Sequence, residues 1–574
     1  VTPDDVAWVV AGAAGVDIDL VRLAADGTEV SRVRVPTGEF AGRVQAARGT
    51  RVRWVWSDTA HWYPRLLAEG VRVERCRDLR LCHAILRDSA LVADAAPIRS
   101  AREWDVDATT VPAPEAPALF ALATDAAASG PPHDAASALA EFARQRAAAA
   151  SAGGNGRLDL LCAAESAGAL VAAEMRAAGL PWDVAVHERI LEDALGARPA
   201  GGGPPERMAI LAAEIRGLLG DPQASLDSPP KLVRSLHRIG VPARTTAKWE
   251  LGQYEHPVIA PLLEYKRLAR LLSANGWAWL DEWVHEGRFR PVYIPAGVVT
   301  GRWASSGGGA LQIPRLLRAA VRADPGWTFV VADVAQLEPR VLAGMSGDTA
   351  LARAARGHDL YSGIVDSGAV ATRAEAKVAM LGAMYGATTG ESGRLVPRLR
   401  RAYPRAMRLV DDAARVGEEG DVVSTWLGRT SPRASERWLR AQRVAAGETG
   451  SAVDRDQARR AAGDRGRFTR NFIVQGTAAE WALAWLGEVR VRLDALPPVP
   501  AEEAAPRSGA ALGDRPHLAF FLHDELIVHT PARHADAAAQ IVRDCAASAG
   551  RLLFGDFPID FPLDLKVTTM ADKA

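Results

Sequence analysis

Residues 517–531 read HLAFFLHDELIVHTP. Two runs of apolar residues flank one polar pair, His523 and Asp524, which predicts two buried strands around a tight turn. A helix is expected to follow from about Ala535. Strands this apolar need other elements to cover them. Residues 326–348, GWTFVVADVAQLEPRVLAGMSGD, supply a further buried strand over 327–332 and a helix starting near Leu337. Each of these apolar segments ends or turns on an aspartate, Asp333 or Asp524.

A carboxylate at a rigid sheet edge presents oxygen to Mg²⁺. Two such carboxylates from separate strands can hold two ions about 4 Å apart and clamp the attacking and leaving oxygens of a phosphoryl transfer. The plainer alternatives are a helix N-cap for Asp333 and a hairpin-turn residue for Asp524. Residues 373–385 add a second signal. Arg373, Lys377, Leu381 and Tyr385 recur every four positions and so share one helix face. Two cations followed by an apolar and an aromatic side chain suit a nucleoside triphosphate; an exposed basic turn leading into a buried patch is the alternative.

The chain has 574 residues, enough for three or four domains at roughly 150 residues each. Acidic and basic residues number 69 each, so net charge is zero. Only six of the 69 basic residues are lysines, and Lys377 is the one between Lys266 and Lys566. Between 429 and 470 lie eleven arginines and five acidic residues, and Arg315, Arg318 and Arg322 cluster ahead of the Asp333 strand. Such clusters form either a phosphate-binding track or a solvated surface. No apolar run is long enough to span a bilayer and no secretory leader pattern opens the chain, so a cytoplasmic, nucleoid-associated location without membrane contact is expected. The four cysteines, Cys76, Cys82, Cys162 and Cys545, have no metal-ligand spacing. The first ~100 residues alternate strand-length and short-helix-length stretches and predict a small α/β unit. Residues 105–156 are rich in Ala, Pro and Gly and predict a loose helical linker or a partly disordered connector, and a long helix follows from Leu158 to a Gly-Leu-Pro stop. Residues 497–516 read as a surface insertion.

Taken in order, five segments resemble family A DNA polymerases of the DNA polymerase I type. TGRWASSGGGALQIP (300–314) is similar to the segment that contacts the primer–template duplex. VADVAQLEPRVLAGMSGD resembles motif A, RAEAKVAMLGAMYG motif B, RGRFTRNFIVQGTAAE the template-contacting segment and FLHDELIVHTP motif C. The resemblance covers roughly 70% of the chain, from Leu170 onward. It implies an α/β multidomain fold: a right-hand polymerase with thumb (171–290), palm (291–344 and 471–574) and fingers (345–470), behind an RNase H-like exonuclease domain (1–170).

The same resemblance implies roles. Asp333 and Asp524 would hold two Mg²⁺ ions (Mn²⁺ as an alternative) with the Val334 carbonyl, and Glu525 would support them. Arg373 and Lys377 would bind the incoming deoxynucleoside triphosphate, with Lys377 the proton donor to pyrophosphate. Tyr385 and Gly386 would lie beside the nascent pair, Gln336 would help position the nucleotide, and Glu338 would exclude a 2′-hydroxyl. Thr300, Arg302, His523, Arg467, Asn471 and Gln475 would meet primer–template DNA. Two residues depart from the pattern: Leu381 stands where the family has Phe or Tyr, and Tyr361 where a phosphate-binding histidine is common. The implied activity is template-directed DNA synthesis by a monomer, in repair or replication gap filling. Its rivals are a ribonucleotide polymerase, against which Glu338 argues, and a non-catalytic DNA binder.

For residues 1–170 the resemblance implies a degenerate 3′–5′ exonuclease domain without proofreading, and no 5′-nuclease domain is expected ahead of it. The Asp-x-Glu of the first strand is absent, with Asp17 and Asp19 the nearest substitutes. Tyr63 falls where an aspartate belongs. Asp78 and Glu165 are expected to be surface acids; a working exonuclease is the rival.

Overall fold

The computed structural model describes residues 6–106, 130–153, 156–307, 309, 313–357, 359–386, 390–447 and 450–571. The chain divides into two compact units. One comprises residues 1–179, 292–306 and 325–568, and the other 180–291, 307–324 and 569–574.

The first unit begins with a five-stranded mixed sheet made of β1 (Val6–Ala14), β2 (Asp17–Ala24), β3 (Glu29–Pro36), β4 (Arg53–Trp56) and β5 (Cys76–Asp78), in the order β3-β2-β1-β4-β5. Alternation along β1 sends side chains to opposite faces. Val9 and Ala11 join Trp54, Trp56 and Tyr63 on one side, while Val10 joins Val21, Val55 and Trp104 on the other. The first of these cores also takes Leu170 and Ala178 from α2 (Arg157–Ala178), and Ala511 and Leu512 from far along the chain. Residues 497–516 are therefore not a plain surface insertion. Ser508 and Leu512 are fully buried, while Glu502, Glu503 and Arg507 of two short 3₁₀ turns reach solvent.

Among the described residues the connector is helical, as one of its two readings expects, but it is not loose. Residues 107–129 lie outside the described residues, but α1 (Ala135–Ser151) is an ordered helix that buries Ala138, Phe142, Gln145 and Ala148, spaced by three and four. Asp78 and Glu165 are fully buried rather than superficial. Asp78 caps the helix at Leu79–Asp88, accepting from the Leu81 amide at 3.0 Å and the Thr59 amide at 2.7 Å. Glu165 pairs with Arg429.

The rest of this unit is built on an antiparallel sheet ordered β7-β8-β6-β9: β6 (Trp327–Val334), β7 (His517–Leu522), β8 (Glu525–Pro531) and β9 (Leu563–Thr568). Every residue of β8 is buried, as its apolar sequence requires. Around the sheet lie α3 (Leu337–Ser346), α4 (Leu360–Asp366), α5 (Arg373–Tyr385), α6 (Glu436–Ala446), the 43-residue α7 (Ala452–Asp494) and α8 (Ala535–Phe554). A helical core joins Leu342 of α3, Met380 and Met384 of α5, and Phe472 and Ile473 of α7.

The second unit is mainly helical, with helices at Val184–Leu195, Glu206–Leu219, Pro229–Arg238, Ile259–Asn275 and Trp277–Trp283. Trp182, Trp279 and Phe289 pack together, and His187 is wedged among them; burial pushes its imidazole down to about 4. The arginine cluster expected here is only partly open. Arg318 is buried, whereas Arg315 and Arg322 are exposed, Arg322 lying 3.8 Å from Asp183. Among the described residues, no helix is long and apolar enough to cross a membrane.

Candidate active site

Asp333 sits near the end of β6, where the apolar run Val330, Val331 and Ala332 anchors the strand in the sheet. In the β6–β8 ladder it lies directly opposite Glu525, and in the β6–β9 ladder opposite Asp564. Directly paired residues of an antiparallel ladder have Cα atoms about 4.5–5.5 Å apart and share a face. A row of three carboxylates thus crosses the sheet. Asp524 joins it through the turn, because the Val334 amide donates to the Asp524 carbonyl at 3.0 Å. The turn holds two residues, with His523 at φ +57°, the sign that a two-residue hairpin demands at its first position. Asp333 and Asp524 are half-buried, Glu525 is buried, and His523 is exposed.

Among the described residues, no three His, Cys, Asp or Glu side chains form a ready-made metal cage. Two carboxylates and a backbone carbonyl make a sparser oxygen set. It suits a hard divalent cation that keeps waters and takes further oxygens from a phosphate substrate.

Helix α5 spans the predicted residues 373–385. Thr372 and Glu375 close a capping box at its start, and Ala376, Ala379, Met380 and Ala383 bury its inner face. That burial leaves the stripe of four outward. Arg373 and Lys377 are exposed, Leu381 is half-buried against the helical core, and Tyr385 is exposed. Arg373 Nε lies 2.6 Å from Asp359 Oδ2, and its guanidinium sits 5.7 Å from the Tyr361 ring centroid. Burial pushes the Asp359 carboxyl up, but the hydrogen bonds from Arg373, Ser362 and the Tyr361 amide together with the Arg373 charge bring it below its ordinary value. Tyr361 is largely buried, and its phenol is pushed up to about 12, chiefly by burial and then by the charge of Glu338.

Glu338, in the first turn of α3, binds two partners. Its carboxylate pairs with Arg302 and accepts from the Tyr385 hydroxyl at 2.8 Å. Burial first, and then this negative neighbour, raise the Tyr385 phenol well above its usual range. The carboxylate therefore bridges the end of α5 to the segment carrying Arg302. Gln336, at φ +49° ahead of α3, accepts from the Leu360 amide at 3.2 Å and so fastens the start of α4.

On α7, Arg467, Asn471 and Gln475 form a second stripe. Gly386 ends α5 at φ +73°, and a Cβ there would come within 2.8 Å of Arg467 Cγ. Only glycine allows both the left-handed turn and the close approach. Thr300 donates to Gln475 Oε1 at 3.2 Å. Asn471 Oδ1 is buried without a protein partner, leaving an acceptor for a ligand to use. Arg467 pairs with Asp464.

The model of DNA polymerase family A matches residues 205–571, well over half the chain. The chain belongs to DNA polymerase family A. Among curated relatives of the family, DNA polymerase I of Chloroflexus aurantiacus is 31% identical over 346 residues, covering 55% of this chain and 32% of its own. The thermostable DNA polymerase I of Thermus aquaticus is 27% identical over 441 residues, covering 69% and 46%. The chain thus spans less than half the length of these relatives. The solved POL domain of Pol1 from M. smegmatis, in complex with DNA primer-template and dNTP, matches with TM-score 0.65 at 18% identity. That likeness covers 99% of this chain and 96% of that domain, and it is a likeness of fold.

Three supports of this candidate site went unread in the sequence. Asp359 holds Arg373; it directly precedes the Leu-Tyr-Ser start of α4, a capping signature that could have exposed it. Arg340 is fully buried beneath motif A and donates to the carbonyls of Ala335 at 2.8 Å and Gly357 at 2.9 Å. Glu480 receives the Thr425 hydroxyl and, at 3.0 Å, the Leu427 amide. Neither Arg340 nor Glu480 carries a local signal, since their partners are remote in sequence.

Proposed function

We propose that this chain is a template-directed DNA polymerase that adds deoxynucleoside triphosphates to a primer 3′-hydroxyl and releases pyrophosphate. The observation that carries the reading is the strand register that sets Asp333 opposite Glu525 and bonds Val334 to Asp524, with the helix that bears Arg373 and Lys377 tied to Glu338 through Tyr385. The primer oxygen bonds to the α-phosphorus while the bond to the β-phosphate bridging oxygen breaks. Asp333, Asp524 and the Val334 carbonyl would hold Mg²⁺, which when bound neutralises phosphate charge and makes the 3′-hydroxyl more acidic. Arg373 and Lys377 bind the β- and γ-phosphates, and Lys377 gives a proton to the departing pyrophosphate. Since phosphoryl transfer asks for positioning and charge neutralisation, these groups suffice without a covalent intermediate.

Glu338, tethered by Arg302 and Tyr385, stands where a 2′-hydroxyl would have to fit. Arg302, Asn471, Gln475 and Thr300 read the primer–template minor groove, with Arg467 on the template and His523 at the primer end. We assign residues 171–290 to the thumb, 291–344 and 471–574 to the palm, and 345–470 to the fingers. Asp78 and Glu165 serve caps and ion pairs, and Tyr63 replaces a carboxylate, so residues 1–170 act as a scaffold without proofreading. Gap filling in repair or replication is the use this assigns.

The test is primer extension with four deoxynucleotides and Mg²⁺. Asp333→Asn and Asp524→Asn should each lower the rate by at least about 10³-fold, several kcal/mol of lost transition-state stabilisation, with melting temperature unchanged. Binding of primer–template without any extension by the parent protein would replace this reading with a non-catalytic one.

A further inference from the structure

Helix α6 and the first turns of α7 form a hairpin whose arginines the proposed chemistry does not use. Residues 433–465 hold eight arginines and five acids. Helix α6 has no buried residue. Only its face at Trp438, Ala441, Gln442 and Ala445 is half-covered. Trp438 Nε1 donates to the Ala461 carbonyl at 3.1 Å, and Gln442 Nε2 to the Ala458 carbonyl at 2.9 Å. These two bonds fasten α6 to α7 and turn Arg437, Arg440 and Arg443 away from the contact, into solvent. On α7, Arg459 and Arg460 are 78% exposed. Their acidic company is thin: Asp456 serves both of them, and Glu436 lies 3.8 Å from Arg443.

The direction of this basic face is set by α7 itself. At about 100° per residue, Arg460, Arg467 and Asn471 fall within about 40° on the helix wheel. At 1.5 Å per residue, Arg460 lies about 16 Å along the axis from Asn471, roughly the rise of five nucleotides of duplex. The stripe assigned to the template therefore runs on, without leaving its face of the helix, into the arginine hairpin.

We propose that the α6–α7 hairpin binds the phosphates of the nucleic acid ahead of the primer terminus, the still-uncopied template together with any strand paired to it. Exposed arginines that outnumber the acids beside them are the complement of a phosphate backbone, and they give affinity without sequence preference. Such a grip suits an enzyme acting at gaps, where a second duplex begins a few nucleotides downstream. This inference rests on the polymerase reading, which supplies the direction of the template.

The test compares the parent protein with the variant Arg437→Gln/Arg440→Gln/Arg459→Gln/Arg460→Gln on two fluorescent primer–templates. One carries a one-nucleotide template overhang, the other a ten-nucleotide overhang paired to a downstream strand. Binding is measured by anisotropy over a salt series. On the long substrate the variant should bind about 5- to 20-fold more weakly, and its slope of log affinity against log salt should be shallower by about two to three. On the short substrate the two proteins should bind and extend alike. The corresponding four-lysine variant should retain the long-substrate affinity. Equal affinities on the long substrate, or an equal loss on both substrates, would overturn the hairpin's role, and so would capture of an acidic protein in place of DNA. Failure of the parent protein to extend either primer would instead remove the polymerase reading, while the binding comparison would still report on the hairpin.

Discussion

Glu338 holds Arg302 and the Tyr385 hydroxyl with one carboxylate, so its removal has a double effect. Glu338→Ala should open the space for a 2′-hydroxyl and release the tether at the end of α5. Ribonucleotide use relative to deoxynucleotide use is expected to rise by at least tenfold, within the 10- to 200-fold range of a small steric change, read as the ratio of the two kcat/KM values. Glu480 carries a different prediction. Burial pushes its carboxyl up to about 7, against the opposing hydrogen bonds from Thr425 and Leu427. A carboxyl raised on folding contributes stability that is complete below its unfolded value, near 4.5, and is lost as pH rises through 7. Glu480→Gln should therefore match the parent protein at pH 4.5 and exceed it at pH 8 by about 2–3 kcal/mol, measured by urea unfolding at both pH values. The two residues differ in how far the sequence discloses them. Asp333, Asp524 and the stripe of four were legible because apolar runs and helical spacing are local patterns. The environment of Glu480 is set by Thr425, Leu427 and Glu165, which no local pattern connects to it.

Helix α2 is tied to α7 through one buried network. Tyr63 donates to Glu174 at 2.5 Å, Arg72 and Arg490 bind the same carboxylate at 2.8 and 2.7 Å, and Arg72 continues to Asp494 at 2.6 Å. Burial alone would raise Glu174, but Arg490 and Arg72 hold it down at about 2. Glu174→Gln leaves two buried guanidinium groups short of charge. Stability should fall by about 3–5 kcal/mol in urea unfolding followed by circular dichroism, while a surface change such as Glu29→Gln has little effect. The helix itself was legible from its spacing and its Gly-Leu-Pro stop. Its partner was not, since Arg490 lies 316 positions away, and Tyr63 could be read only as a missing acid.

At the scale of the molecule, residues 1–179 belong to the same compact unit as the strands that carry Asp333 and Asp524. The N-terminal residues, expected as a structural remnant, pack into the same cores as later segments. Removing residues 1–130 would uncover Leu170, Ala178 and Leu512 and strip Glu174 of Tyr63 and Arg72. Such a truncation should aggregate or melt more than about 10 °C below the full chain, read by size exclusion and differential scanning fluorimetry; an unchanged melting point would refute the support role. The pattern of strands in residues 1–100 predicted an α/β sheet correctly. What covers that sheet was hidden, because Leu512 belongs to a segment whose prolines and glycines read as solvent-facing. This borrowed leucine also bears on synthesis at the ribosome. The first core to emerge cannot close until residue 512 has been made, 334 positions after Ala178. At 5 to 20 residues per second, the nascent sheet waits roughly 20 to 70 s with an open apolar face, a window in which chaperones would have to guard it.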